Sequence, residues 1–292
     1  MNLSAEGSFY RWSPAACLRV SGEDALTFLQ GQFTNDLQQR KEGGAVYGLW
    51  LNQKGKVLAD SFVGKSAANE AWIVSYFSPA AVIRERLEAY IIADDVVIED
   101  VTENMRGVTV FGALTAGDSG LDAAAWSFAG RRTREPHREF IFPAEMESAM
   151  NTKLAGRTEL SAEQIQGLRI GAGIPAVPVD IGPTDLPNEA GLETEAISYT
   201  KGCYLGQEVM ARLKNLGQVR RRLLRVRGTG EQPEPTTAVF QAARKVGELR
   251  SVVRDDAGWS GFALVSLVQL NREAGLALAP EGAATIQFTD AS

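Results

Sequence analysis

The feature that most constrains the fold is a set of three β-type runs in the first third of the chain. They cover residues 45–51, 56–63 and 71–77 and contain many Val, Leu, Ile and aromatic residues. Turn-like segments at 52–55 (Asn-Gln-Lys-Gly) and 66–69 separate them. Short links of this kind predict that the runs pair as a β-meander.

Helical patterns with recognisable start signals surround this meander. Residues 21–24 (Ser-Gly-Glu-Asp) precede one amphipathic run, and Ser78 and Pro79 predict a second helix with Ser as its cap and Pro at its first position. Ser161 and Gln164 predict a capping box for a third. Further strands are predicted at 96–101, 107–112 and 139–142, and a further helix at 144–154. This order predicts an α+β sheet with helices packed on one face.

The last third of the chain has a different pattern. Residues 173–192 contain four prolines, and such long connections are usually functional or linking. A helix is predicted over 205–215, closed by Gly217. Short strands then follow at 223–228, 238–240, 245–251, 261–267 and 284–288. They predict a small antiparallel barrel, so we divide the chain into residues 1–217 and 218–292.

Composition sets the class of protein and its compartment. The chain has 292 residues, 45% of them hydrophobic, with two cysteines and one histidine. It has neither a leader pattern nor the ~18 uninterrupted apolar residues that a membrane span needs. So few cysteines in so long a chain are typical of a reducing compartment, so we expect a cytoplasmic protein without membrane association or a structural disulfide. The single histidine, His137, is expected at the surface, and no metal site is predicted.

A short motif at 201–208 (Lys-Gly-Cys-Tyr-Leu-Gly-Gln-Glu) places Cys203 between glycines at a predicted helix start. Helix N-termini and nearby cations favour a thiolate over a thiol, so the pattern predicts a lowered pKa for Cys203. A thiolate of this kind can act as a nucleophile or as a ligand. The alternative is a buried, inert, structural cysteine.

The motif begins a strongly basic stretch. Residues 201–227 carry a net charge of +7 in a chain of net charge −6. The basic residues are Lys201, Arg212, Lys214, Arg220, Arg221, Arg222, Arg225 and Arg227. A local cationic ridge on an acidic protein indicates a specific anionic partner, whereas the alternative is an ordinary solvated surface.

The motif and the segments around it resemble the YgfZ-like folate-binding proteins, which are relatives of the glycine-cleavage T-protein (aminomethyltransferase). Weaker matches occur in the same order along the chain, at 22–36, 51–56, 94–96, 169–175 and 186–189. The resemblance implies two joined α/β folate-binding subdomains followed by a C-terminal β-barrel.

The same resemblance implies a function. Family members are similar to tetrahydrofolate-dependent accessory factors that support the assembly or repair of iron–sulfur enzymes, with tRNA modification as a further role. The implied cofactor is tetrahydrofolate or a derivative, and the implied partners are iron–sulfur client proteins and tRNA. Such a factor need not turn over a substrate. If it does, the expected reaction is a folate-dependent one-carbon (aminomethyl) transfer.

Folate imposes three chemical demands. Its pterin edge suits a carboxylate, its benzoyl ring an aromatic wall, and its glutamate tail a cation. Glu189 and Glu195 are the candidate carboxylates, and Trp50 is the candidate wall, although Trp50 also fits a core position and Glu195 a solvated acid. The remaining candidate cofactor-binding residues belong to the motif and the helix after it: Lys201, Gly202, Tyr204, Gln207, Glu208 and Arg212.

Two departures from the T-protein bear on catalysis. Its pterin-holding glutamate aligns with Gly171, and its paired aspartates align with Ala59 and Asp60, which leaves Asp60 as the one candidate catalytic acid beside Cys203. Aminomethyl transfer needs an acid near the folate nitrogens, so these departures favour an accessory role. The rival hypotheses are a true one-carbon transferase and a non-catalytic scaffold that docks tRNA or a protein.

Overall fold

A five-stranded antiparallel sheet forms around the predicted meander. The structure, a computed structural model, describes residues 7–38, 44–112, 126–217 and 219–289. In this first sheet, β3 (Ala45–Leu51), β4 (Val57–Ala67) and β5 (Glu70–Ser75) pair in sequence order, and β2 (Ala16–Ser21) and β6 (Val97–Asp100) extend it beyond β5. The meander is therefore confirmed.

A second five-stranded sheet stacks on the first. Its order is β10 (Thr158–Glu159), β1 (Ser8–Trp12), β7 (Met105–Phe111), β9 (His137–Pro143) and β8 (Trp126–Ala129). Alternate residues along a strand point to opposite faces, so the inner strands can contribute to a core on each side of their sheet. Cys17, Phe62 and Phe128 lie in the core between the two sheets.

Helices cover the outer faces of both sheets. The helices α1 (Ala25–Gln32) and α2 (Ala80–Glu88) pack on the first sheet in a core that includes Trp50 and Phe33. On the second sheet, α3 (Glu147–Lys153) contributes Met150 to the core. The arrangement is helix, sheet, sheet, helix, which confirms α+β content but places helices on both sides rather than on one.

Two local predictions were wrong. Pro79 is the cap of α2 rather than its first residue, because the Ser78 hydroxyl lies 2.9 Å from both Asp60 Oδ1 and the Val177 carbonyl oxygen and is used there. His137 is buried rather than at the surface, since it begins β9 and its ring stacks on Phe111.

Local signals later in the chain predicted their elements well. The Ser161–Gln164 capping box is present at the start of α4 (Ala162–Gly171). The last helix, α5 (Gln207–Leu216), ends at Gly217, whose φ of 66° is the left-handed value that favours glycine. Both predictions are confirmed.

The predicted C-terminal barrel is also present. Its sheet has the order β12 (Ala238–Gln241), β13 (Arg244–Asp255), β14 (Gly258–Ser266), β11 (Arg221–Gly228) and β15 (Ile286–Phe288). Single bridges from Ala277 to Phe240 and from Leu276 to Ile286 join its two edge strands. The division at residues 217 and 218 stays a prediction. Within the described ranges, none of the helices is both long and apolar enough to cross a membrane.

Candidate functional site

The motif segment exposes its cysteine. Cys203 is a free, exposed thiol, and Gly202 before it is exposed as well. The helix α5 begins only at Gln207, after Gly206, so Cys203 lies outside the first turn of the helix. Gly206 has a φ of 88°, and a Cβ there would lie 3.0 Å from the Asn52 carbonyl oxygen, so this turn requires glycine.

Lys201 anchors one end of this segment. Its Nζ donates hydrogen bonds to the carbonyl oxygens of Gln30, Phe33 and Asn35 at 2.5, 2.6 and 3.1 Å. Two of these carbonyls lie at or beside the C-terminal end of α1, where a cation is favourable. Burial lowers the pKa of Lys201 from 10.5 to about 8, while the nearby Asp36 carboxylate raises it. The ammonium group is therefore committed to the protein's own backbone.

Tyr204 anchors the other end. Its ring is buried in a core with Leu51 and Met210, and its backbone N–H donates to Gln207 Oε1 at 3.3 Å. Burial raises the pKa of Tyr204, and its hydroxyl has no hydrogen-bond partner among the described residues. Glu208 and Arg212 are exposed on α5. The motif thus holds Cys203 outward between two buried side chains.

A buried polar cluster lies beneath the motif. Asn35, whose carbonyl accepts from Lys201, donates through Nδ2 to the carbonyl oxygens of Tyr47 and Glu195 at 2.9 and 3.0 Å. The Tyr47 hydroxyl donates to Asp60 at 3.0 Å, and the Arg131 guanidinium lies 4.4 Å from the centre of the Tyr47 ring. Asn35 therefore links the motif to the cluster of Tyr47 and Glu195 through its hydrogen bonds.

The two acids of the cluster are engaged by neighbouring side chains. Asp60 also accepts hydrogen bonds from Ser75 and from Ser78, and burial raises its pKa. Glu195 forms an ion pair with Arg131 and a second with Arg134. Burial alone would raise the pKa of Glu195, but the two arginines outweigh burial and hold the pKa below its ordinary value.

Trp50 and Glu189 lie away from that cluster. Trp50 is fully buried on the helix-covered face of the first sheet, and its Nε1 donates to Ser61 at 2.9 Å. Glu189 is buried and accepts from the Leu186 N–H at 2.8 Å and from Arg221 of β11 at 3.0 and 2.9 Å. Glu189 therefore ties the Pro-rich connection to the barrel.

A large cavity lies elsewhere, between α4, the loop at 133–135 and the β13–β14 turn. This cleft has a volume of about 870 Å³. Gly167 and Gly171 of α4 face it four residues apart, and a Cβ added to either would meet nothing within 4 Å. A second cavity of about 400 Å³ shares Glu163 and Val253 with it. Neither is lined by a residue of the motif.

Sequence reasoning missed Arg131, which contacts Tyr47 and Glu195, and Arg132, which lines the second cavity. Both are buried, and Gly130 separates them from the end of β8. The available signal was the run Arg131-Arg132-Thr133-Arg134, in which four polar residues come shortly after a strand. The sequence indicated only a loop or the edge of a strand there. Among the residues that the structure describes, no three His, Cys, Asp or Glu side chains are grouped to hold a metal ion.

Comparison with known proteins identifies both parts of the chain. Residues 9–116 match the GCVT N-terminal domain family, and residues 220–289 match the CAF17 C-terminal beta-barrel domain family. The chain is 28% identical over 236 residues to the tRNA-modifying protein YgfZ of Escherichia fergusonii, covering 74% of this chain and 71% of that protein. The chain is therefore similar to YgfZ, and it carries matches to two domain families, GCVT in its first part and CAF17 in its last.

The fold agrees with this relationship. The glycine cleavage system aminomethyltransferase T from Bartonella henselae superposes with a TM-score of 0.76, covering 92% of this chain and 81% of that one. Sequence identity over this alignment is 17%, so the likeness shows the fold alone. The chain therefore has a T-protein-like α/β fold followed by a C-terminal sheet that matches the CAF17 beta-barrel domain.

Proposed function

We propose that this protein binds a tetrahydrofolate in the cleft beside α4 and acts as an accessory factor in iron–sulfur enzyme maturation or repair and in tRNA modification. The observation that carries the proposal is the open face of α4 at Gly167 and Gly171, inside a T-protein-like fold. The relationship to a protein named for tRNA modification supports the second part.

The cleft suits a flat, anionic ligand. Its volume of about 870 Å³ falls within the range of ordinary small-molecule sites. Two glycines on one helix face allow a planar ring to approach the backbone closely. Arg254 lines the same cleft and is exposed, so it is available to a carboxylate of a glutamate tail. Arg134 and Arg227 also line the cleft, but they pair with Glu195 and Asp255.

Glu163 of α4 also lines the cleft, but the pterin-holding acid that the T-protein resemblance implies on this helix face is missing, which favours an accessory role over catalysis. Gly171 occupies the position where the T-protein carries its pterin-holding glutamate. Asp60, the candidate catalytic acid, is enclosed by Tyr47, Ser75 and Ser78 and does not line the cleft. A folate in this cleft would therefore lack both the glutamate that the resemblance implies at position 171 and the Asp60 carboxylate as the acid that aminomethyl transfer needs. The acids that do line the cleft are Glu135, Glu163, Asp255 and Asp256.

We assign Cys203 to a partner other than the ligand of the cleft. The thiol is exposed and lies outside the lining of the cleft, so a macromolecule can reach it directly. Basic residues that follow it in the chain offer an electrostatic guide for tRNA or for an acidic client protein. The exposed ones are Arg212, Lys214, Arg220, Arg222 and Arg227, whereas Lys201 is buried and Arg221 is held by Asp185 and Glu189.

Calorimetric titration with tetrahydrofolate and 5-formyl-tetrahydrofolate tests the folate site. We expect saturable binding by the natural chain and its loss in Gly171→Leu, because the added side chain enters the cleft. Leucine also favours a helix over glycine by roughly 0.5–1 kcal/mol, so the variant should fold. Gly31→Leu in α1, where an added Cβ also meets open space, is the matched control.

Equal binding by Gly171→Leu and the natural chain would move the folate site away from α4. No binding by the natural chain would reject the folate proposal. Glu189→Ala is a poor probe, since it breaks the tie to Arg221 and changes the junction with the barrel.

A further inference from the structure

One buried arginine differs from the others in its charge partners. Four arginines of the described chain are buried, and three of them pair with carboxylates: Arg131 with Glu195, Arg132 with Glu139 and Arg169 with Asp180. The fourth, Arg86 of α2, is 7% exposed, and burial lowers its pKa without any described carboxylate to raise it. A buried charge is normally paired, because an unpaired one is costly.

The guanidinium of Arg86 is held in place but not saturated. Its Nε donates to the Leu51 carbonyl oxygen at 2.9 Å, and its Nη1 donates to Gln32 Oε1 at 2.8 Å. The centre of the Tyr90 ring lies 4.6 Å from the guanidinium carbon. Nη2 is buried and has no hydrogen-bond partner among the described residues. One donor nitrogen of a fixed cation is therefore left for an acceptor from outside these residues.

A second buried cation lies at the same end of α1. Lys201 Nζ binds the carbonyl oxygens of Gln30 and Phe33, while Arg86 binds the side chain of Gln32 between them. Asp36 is the one carboxylate among the described residues that raises the pKa of Lys201. Two buried cations and one acid leave an excess of positive charge beside α1, and such an excess favours an anion.

Tyr90 connects Arg86 to the exposed turn at 52–55. Gln53 in this turn is exposed, and its Nε2 donates to the Tyr90 hydroxyl across 3.4 Å, which is long for a hydrogen bond. Lys54, the next residue, is exposed as well. The same turn touches the motif, since a Cβ on Gly206 would lie 3.0 Å from the Asn52 carbonyl oxygen. An anion that replaces Gln53 at Tyr90 would therefore lie beside the segment that carries Cys203.

We propose that Arg86 anchors a phosphate-binding site, which a phosphate group enters when Gln53 moves away from Tyr90. One phosphate oxygen accepts from Arg86 Nη2, and the Tyr90 hydroxyl and Lys54 are donors for the others. Nε and Nη1 of Arg86 are already used, so the planar fork that binds a carboxylate in two parallel hydrogen bonds is not free. Single donors from several directions suit a tetrahedral anion better.

The phosphate has two sources of the same chemistry, a small phosphate compound and the backbone of an RNA. The site itself is independent of folate binding. Its use by RNA rests on the proposed role in tRNA modification, and it would place the RNA backbone beside Cys203.

Calorimetric titration of the full chain with inorganic phosphate, without folate, tests the site. We expect saturable binding that exceeds the binding of acetate. Gln53→Glu adds a carboxylate that pairs with Arg86, so it should raise the midpoint of thermal unfolding and weaken phosphate binding about tenfold or more. Asn69→Asp makes the same change of charge in the exposed turn between β4 and β5 and should alter neither quantity.

A second variant changes the anchor itself. Arg86→Lys keeps the charge but cannot reach Leu51, Gln32 and a phosphate from one planar group, so phosphate affinity should again fall about tenfold or more. Arg84→Lys, on the same helix and paired with Glu88, is the control. Unchanged phosphate binding in either Gln53→Glu or Arg86→Lys overturns the site, as does a preference for acetate or the absence of saturable phosphate binding.

Titration with tRNA at several salt concentrations identifies the source of the phosphate. If RNA is the source, Gln53→Glu should weaken tRNA binding and reduce the salt dependence by about one phosphate contact. Equal tRNA binding by both chains, with inorganic phosphate binding lost in the variant, assigns the site to a small phosphate compound. Phosphate binding without any tRNA binding by the natural chain rejects the proposed tRNA role and supports the Arg86 site.

Discussion

The Pro-rich connection at 173–192 and the motif at 201–208 use their polar residues in opposite ways. In the connection, the buried acids Asp180 and Glu189 face inward and bind arginines and backbone N–H groups. In the motif, Lys201 and Tyr204 face inward, while Cys203 between them is exposed. The first segment joins two regions of the molecule, and the second displays an exposed thiol.

The contrast between the connection and the motif separates two reasons why polar residues occur in such segments. Acids buried with complete sets of partners fix geometry, because removing one leaves the partner charge unpaired in the interior. An exposed thiol contributes little to that geometry, so its presence needs a chemical reason. The variants below test where this division holds.

The largest effect is expected at Asp180. Its carboxylate accepts from Arg169 at 2.6 Å, from the Ala176 N–H at 2.8 Å and from the Ser251 N–H of the barrel at 2.8 Å. Asp180→Ala leaves a buried arginine unpaired, so the free energy of unfolding should fall by about 3–5 kcal/mol. Urea unfolding measures this loss, with Asp94→Ala on the surface as the control. A loss as small as that of the control would show that the connection is not a structural joint.

A smaller effect is expected at Lys201. Lys201→Met leaves three carbonyl oxygens without their donor, so unfolding free energy should fall by about 1–3 kcal/mol. If the variant is as stable as the natural chain, Lys201 is not the anchor of the motif.

The pH dependence of stability sharpens this second test. The folded pKa of Lys201 is about 8 and its ordinary value is 10.5. Between these values the unfolded chain keeps a proton that the folded chain has released, so the Lys201 contribution to stability rises with pH in this window. Below about pH 8 the contribution is constant. Urea unfolding from pH 7.5 to 10 should show this rise in the natural chain and lack it in Lys201→Met.

The smallest effect on stability is expected at Cys203. Because the thiol is exposed, Cys203→Ser should change the free energy of unfolding by less than about 0.5 kcal/mol. Cys17→Ser is the contrast, since Cys17 lies buried between the sheets and should cost about 1–3 kcal/mol. A Cys203→Ser variant as unstable as Cys17→Ser would make the motif cysteine structural.

Thiol titration with an aromatic disulfide completes the comparison of the cysteines. Burial, with a contribution from Asp100, raises the pKa of Cys17 to about 12, so its thiolate is scarce at neutral pH. The native chain should therefore react at one thiol and the unfolded chain at both of its two cysteines. Reaction of both thiols in the native state would contradict the assigned exposure.

The sequence predicted elements better than partners, for a physical reason. The meander, the Ser161–Gln164 capping box and the stop at Gly217 depend on neighbours within a few residues, and all three are confirmed. The partners of Lys201 lie about 170 positions away, and those of Glu189 lie partly in the barrel. Lys201 and Glu189 were candidates for ligand binding because of their chemical type alone. In the fold, both side chains instead connect segments that are distant in the sequence.

Arg132 shows the same limit of sequence-based prediction, because it is a buried residue that the sequence did not single out. Its environment combines rings from β1 and from the chain after β5 with an acid from β9. No local pattern in the sequence predicts that these residues meet around Arg132, because each of them is an ordinary residue of its own segment. The run of four polar residues after β8 was the only trace.

The way the barrel closes determines when the protein can finish folding during synthesis. Strand β11 pairs with β14 and β15, both of which come later in the chain, and the bridges at Leu276 and Ala277 join the sheet edges. Domains generally fold as they emerge from the ribosome, N-terminal parts first. Here Ser251, which completes the hydrogen bonds of Asp180, emerges long after Asp180 itself. The hydrogen bonds of Asp180 therefore stay incomplete until Ser251 of β13 has left the ribosome, and the barrel sheet stays incomplete until β15 has followed.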